Sequence, residues 1–168
     1  MIDAFYTKLP QSLVNNCIIK LNDLECGIID SPDSCCVLDN VNYHTKISNP
    51  NLKDFYFIAI YKCSLDETFK GKRCDFGILI ENEKLILVEI KETSFPKYRK
   101  SRPILQLENT ISHFSNQGLV QLFTSHLAIV SWGYKPIRGL VNSSFNTAKL
   151  RFKLLYNFDL KEGNLIEI

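Results

Sequence analysis

Three charged residues stand in the most apolar stretch of the chain. In CDFGILIENEKLILVEIK, residues 74–91, Asp75 opens one apolar run, ENEK makes a polar turn, and Glu89 and Lys91 close a second apolar run. Side chains alternate along a strand, so Leu85, Leu87, Glu89 and Lys91 share one face while Ile86, Val88 and Ile90 share the other. A strand apolar on both faces accepts such charges when they are paired, bind a metal or face a cleft. Two carboxylates offer hard oxygen ligands to a divalent cation, and the lysine is a compact positive charge beside them. A solvated salt bridge near a strand end, with Asp75 merely starting its strand, would use the same residues.

Register decides whether the carboxylates can meet. Pairing Ile80 with Leu85 across ENEK sets Asp75 opposite Ile90, on the wrong face for Glu89. Convergence therefore requires an odd-length turn or a bulge, a device that re-aims side chains beside active sites.

Around the hairpin the sequence predicts a helix from Pro10, carried by Leu13, Val14, Cys17, Ile18, Leu21 and Leu24 and ending near Gly27 as a C-terminal cap. Residues 30–52 are rich in turn formers and predict loops with a short strand around Val37. FYFIAIYKC, residues 55–63, predicts a buried strand. A second helix opens at Pro103, with Ile104, Leu107, Ile111 and Phe114 as its apolar stripe and Gln106, Asn109, Thr110 and His113 on its other side. QGLVQLF is ambiguous and fits a resumed helix after a break at Gly118; HLAIVSW, 126–132, and KLRFKLLYNF, 149–158, read as strands. The order predicts one α/β or α+β domain over residues 1–168, with a central mixed sheet flanked by helices.

An aspartate opening one strand, a hairpin, and Glu-x-Lys ending the next resembles the PD-(D/E)XK nuclease superfamily, the restriction-endonuclease-like fold. The flanking elements are similar to its α-β-β-β-α-β core over roughly residues 10–132. The resemblance implies that Asp75 and Glu89 bind the metal with the backbone carbonyl of Ile90, and that Lys91 is the catalytic lysine. It also implies Mg2+, for which Mn2+ can substitute, and hydrolysis of DNA phosphodiesters to a 5′-phosphate and a 3′-hydroxyl. Restriction, junction-resolving and bacterial defence nucleases are the implied roles. Some branches place a glutamine on the following helix, where Gln106 stands. Others add a glutamate from the first helix, for which Glu25 is the candidate and Asp23 its competitor; a solvated helix end is the favoured reading of both. Cys74 stands where the family name has proline. A nuclease fold kept as a silent nucleic-acid-binding or assembly subunit is the alternative, and an unrelated interaction protein is the third reading.

Composition excludes little. The chain has 168 residues, 45% hydrophobic and 23% charged, with a net charge of +2 that names no partner. No apolar run approaches the roughly 20 residues of a membrane span, and the N-terminal residues lack a secretory pattern, so a cytoplasmic protein without membrane contact is expected. The six cysteines are then expected reduced, as small buried apolar residues. A zinc site from Cys26, Cys35, Cys36 and His44 lacks a C-x-x-C pair. KETSFPKYRKSR supplies Lys97, Arg99, Lys100 and Arg102, which read equally as a phosphate-binding segment or a solvated loop. His113 reads as a surface histidine before a phosphate ligand, and Trp132 as core. A chain this size would act as a homodimer or beside a partner that supplies targeting.

Overall fold

The computed structural model describes residues 1–31, 35–65, 69, 71–91, 101–133 and 143–168; at 101, 102, 143 and 144 it describes the backbone alone. Helices α1 (Ile2–Lys8) and α2 (Pro10–Val14) lead into strands β1 (Ile18–Leu21), β2 (Glu25–Ile29), β3 (Val37–Leu38), β4 (Thr45–Ser48), β5 (Phe55–Ala59), β6 (Phe76–Ile80) and β7 (Lys84–Ile90). Helix α3 (Ser101–Asn116), a 3-10 turn at Val120–Leu122, β8 (Ser125–Ser131), α4 (Ser143–Tyr156), β9 (Asp159–Glu162) and β10 (Leu165–Glu167) follow.

The expected mixed sheet is present: six strands in the order β1-β5-β6-β7-β8-β9, antiparallel through β7 and parallel from β7 to β9. Its central strands are buried on both faces, which is why FGILI and LILVEI read as unbroken apolar runs. On one face Leu79, Leu85 and Leu87 pack against Phe5 of α1, Leu107, Ile111 and Phe114 of α3 and Phe152 of α4. On the other, Phe57, Ile78, Ile86 and Val88 pack against Ile28 and Ile47 of a second sheet, ordered β10-β4-β2-β3. Helices therefore cover one face and a small sheet closes the other.

Two expected elements are corrected. The helix from Pro10 stops at Val14, because Asn16 turns the chain with φ 52° and Cys17 joins the strand system, its carbonyl accepting from Ala59 N–H at 2.9 Å. Leu13 and Val14 are exposed, so the expected apolar stripe is not one buried face. Gly27 is no cap: it lies in β2, where a Cβ would stand 2.2 Å from the Asp39 carbonyl oxygen. Residues 149–158 are mostly helix, since β8 and β9 run parallel and a parallel pair needs a crossover between its strands.

The second helix is present with its expected stripe, Ile104, Leu107, Ile111 and Phe114, buried, but begins at Ser101, before the expected Pro103. It ends at Asn116, and two residues on Gly118, with φ of 74°, lets Leu119 N–H reach back to Phe114 O at 2.9 Å. Cys17 and Cys63 are joined as a disulfide, 5.7 Å between Cα atoms, correcting the expectation that all six cysteines are reduced. Cys26, Cys36 and Cys74 are free and buried, as small apolar residues are. Among the described residues no helix is long and apolar enough to cross a membrane.

Candidate active site

The hairpin turn is odd. Ile80 pairs with Lys84, leaving Glu81, Asn82 and Glu83 as the turn, and Asn82 takes the left-handed φ of 56° that closes it. The paired register ends with Phe76 opposite Val88, Asp75 N–H donates to Val88 O at 3.1 Å, and the side chains of Asp75 and Glu89 meet. The odd turn that the sequence demanded is present, and the ladder becomes irregular at Asp75.

Each carboxylate is held differently. Asp75, 6% exposed, accepts a hydrogen bond at Oδ2 from Ile90 N–H at 2.5 Å, while its carbonyl accepts from Ile60 and Tyr61 N–H. Ile90, expected to contribute its carbonyl, therefore also orients Asp75 through its amide. Glu89 is fully buried; Lys91 Nζ makes an ion pair with its Oε1, and neither oxygen accepts a regular hydrogen bond from the described residues. Burial first, and the Asp30 carboxylate second, push the Asp75 carboxyl up to about 7 against the opposing pull of Ile90 N–H and Lys91. Glu89 is raised well above the usual carboxylate range by burial and then by Asp75, opposed by Lys91. Both carboxyls are therefore shifted toward the protonated form, with burial the first cause in each.

A cavity of about 380 Å³ opens beside them, lined by Asp30, Ser31, Tyr61, Gly71, Lys72, Arg73, Asp75, Lys91 and Gln106. Helix α3 fixes its floor: Gln106 Nε2 donates to Arg73 O at 3.0 Å, and Thr110 Oγ1 accepts from Cys74 N–H at 2.9 Å. These two bonds clamp the backbone immediately before Asp75. Gln106, expected in the catalytic group, thus lines the cavity and positions the chain beside Asp75.

Asp30 was missed by the sequence reading. It follows the apolar end of β2 as Asp75 precedes the apolar start of β6, and a carboxylate at an apolar strand end was the available signal. Glu25 and Asp23 line no part of the cavity, and Glu25 is bridged to Lys46 at 2.8 Å on the surface. The proposed zinc ligands divide differently: Cys36 Sγ lies 3.8 Å from Asp30 Oδ1, and His44 Nδ1 accepts from Asp30 N–H at 3.0 Å. Among the described residues no three His, Cys, Asp or Glu side chains gather as a metal cluster. The ring of His113 stacks edge-on with Phe69, 4.9 Å between centroids, and burial lowers its pKa. Trp132 donates to Glu162 Oε1 at 3.3 Å and packs against the core. Lys97, Arg99 and Lys100 lie outside the described residues, as does the side chain of Arg102.

The residues present fit a small hard cation. Glu89 is a buried carboxylate whose described polar partners are Lys91 and a second carboxylate, Asp75, and magnesium needs only one or two protein carboxylates because it keeps several waters. Compared with protein-family models, with curated proteins and with solved structures, the chain matches none.

Proposed function

We propose that the chain is a metal-dependent nuclease of the PD-(D/E)XK type, with a restriction-endonuclease-like core, hydrolysing DNA phosphodiesters. The observation that carries this reading is the three-residue turn that sets Asp75 against Glu89, with Lys91 in contact with Glu89 at the wall of one cavity. Asp75 and Glu89, with the Ile90 carbonyl, would hold Mg2+, and Mn2+ can substitute. The bound cation supplies Lewis acidity toward a phosphate oxygen and a more acidic water.

The chain's own groups do the rest. Ile90 N–H keeps one oxygen of Asp75 fixed, so the other is aimed without reorganisation. Lys91 neutralises Glu89 in the free protein and, at the cavity wall, offers its ammonium to a nucleophilic water or to charge developing on the phosphate. Gln106 and Thr110 hold the Arg73–Cys74 backbone in place, which keeps the Asp75 carboxyl beside Glu89. Three cations in the cavity, Lys72, Arg73 and Lys91, offset the charge of an incoming phosphate.

The test is incubation of the protein with linear, circular, single-stranded and branched DNA and with RNA, in magnesium, manganese or chelator. Asp75→Asn, Glu89→Gln and Lys91→Ala should each lower cleavage by about a hundredfold or more, since each removes a group acting on the reacting atoms. Full activity in any two of them refutes the assignment.

A further inference from the structure

A buried arginine needs an anion, and Arg73 has none among the described residues. It is 7% exposed, and among the described residues its buried Nε has no partner and its one hydrogen bond is a long 3.4 Å contact from Nη1 to the Phe69 carbonyl. No carboxylate bridges it there, although Asp75 is two residues away and both it and Asp30 line the same cavity. Leaving a desolvated guanidinium unpaired is expensive, and a partner arriving from solution removes the cost.

The side chain is also held ready. Its guanidinium carbon lies 5.3 Å from the centre of the Tyr61 ring and 6.0 Å from that of Phe69, contacts that fix the plane of the fork. Its backbone is fixed in turn by the Gln106 bond to its carbonyl. A rigid planar fork with free donors matches two oxygens on one atom, the geometry of a phosphate or a carboxylate. Exposed Lys72 at the same cavity adds charge but no direction.

We propose that Arg73, backed by Tyr61, is a phosphate-binding residue that takes the two non-bridging oxygens of a phosphodiester in the cavity beside Asp75. The identity of the anion rests on the nuclease reading; the presence of an anion site does not. Arg73 is then a specificity residue for a diester lying across the cavity mouth, and not part of the metal-binding pair.

The test uses metal-free protein in chelator at constant ionic strength, with thymidylyl-thymidine, one diester and no other charge, as the probe. Its titration should shift the Arg73 Nε–H resonance of the wild-type protein saturably, and Arg73→Met, which keeps the stem on Tyr61, should weaken binding about tenfold or more. Arg73→Lys should recover part of the affinity but not all, because it lacks the fork. The wild-type resonance keeps the test decisive if Arg73→Met fails to fold: an unmoved Nε–H overturns the inference. So does a response to inorganic phosphate alone with none to the dinucleotide, or unchanged affinity in folded Arg73→Met. Arg73-dependent binding without cleavage of any nucleic acid supports the subsite and overturns only the nuclease reading. Cleavage with kcat and KM unchanged in Arg73→Met does the reverse.

Discussion

Asp75→Asn should make the metal-free protein more stable at pH 8. In the folded chain, burial and then Asp30 lift the Asp75 carboxyl from 3.8 to about 7. Between those values the folded state binds more protons than the unfolded state, so stability falls as pH rises. The contribution of the protonated carboxyl is complete below about pH 4 and is lost as pH climbs through about 7. At 1.36 kcal/mol per unit, the shift sets a ceiling of about 4 kcal/mol on the cost of ionising Asp75 in the fold. The asparagine is neutral throughout, keeps an oxygen for Ile90 N–H, and can donate its amide toward Glu89. Urea unfolding in chelator, run from pH 4 to pH 8.5, should find the variant about 2–4 kcal/mol above wild type at pH 8 and within about 1 kcal/mol of it at pH 4. Magnesium at pH 8 should stabilise the wild type by mass action and leave the variant unmoved. A variant no more stable than wild type at pH 8, or a gap equal at both pH values, refutes the reasoning.

Two structural predictions follow from the elements that hold the site. Asn82 has φ of 56°, so Asn82→Val should cost about 1–2 kcal/mol in urea unfolding whereas Asn82→Gly should not, and only the valine should lower cleavage by disturbing the hairpin register. The Cys17–Cys63 bridge spans 46 residues, for which chain entropy gives a contribution of about 4 kcal/mol; Cys63→Ser should lower the unfolding midpoint accordingly, and an unchanged midpoint would show that the thiols are not joined in solution.

How far the sequence could be read depended on whether packing on both sides of an element left a mark on it. β6 and β7 were legible because neither face meets water, so their only charged residues are those with a task or at the ends. The requirement for an odd turn was legible too, since it followed from parity alone. Which residues of ENEK form the turn was not, because the choice rests on Asn82 accepting positive φ. Helix α4 was misread because Leu150, Leu154 and Leu155 are exposed, which leaves no polar face to reveal a helical period. The helix from Pro10 failed for the opposite reason: its apolar residues happen to fall at helical spacing but are shared between a short exposed helix and an edge strand. Asp30 escaped notice because it is followed by turn formers, so its chemistry depends on a second sheet bringing it to a cavity 45 residues before Asp75.

The strongest argument that this cavity has a function is that its buried arginine pairs with no carboxylate among the described residues, although two carboxylates line the same space. A structural charge cluster would place Arg73 on Asp75 or Asp30, since all three line one space and a buried pair loses most when a partner is missing. Here Arg73 stacks on aromatic rings with its Nε unpaired among the described residues, Glu89 is buried with Lys91 as its ion-pair partner, and burial, then Asp30, push the Asp75 carboxyl up to about 7. The unmet demands have opposite signs: the carboxylates call for a cation and the guanidinium for an anion. A metal ion and a phosphate brought together would meet both at once, whereas either alone leaves one demand standing. Binding of the two should therefore be positively coupled: magnesium should tighten thymidylyl-thymidine binding to the wild type, and that coupling should vanish in Glu89→Gln and in Arg73→Met for different reasons. Equal dinucleotide affinity with and without magnesium would show that the cation and the anion sites are independent, and the common cavity would lose its meaning as one site.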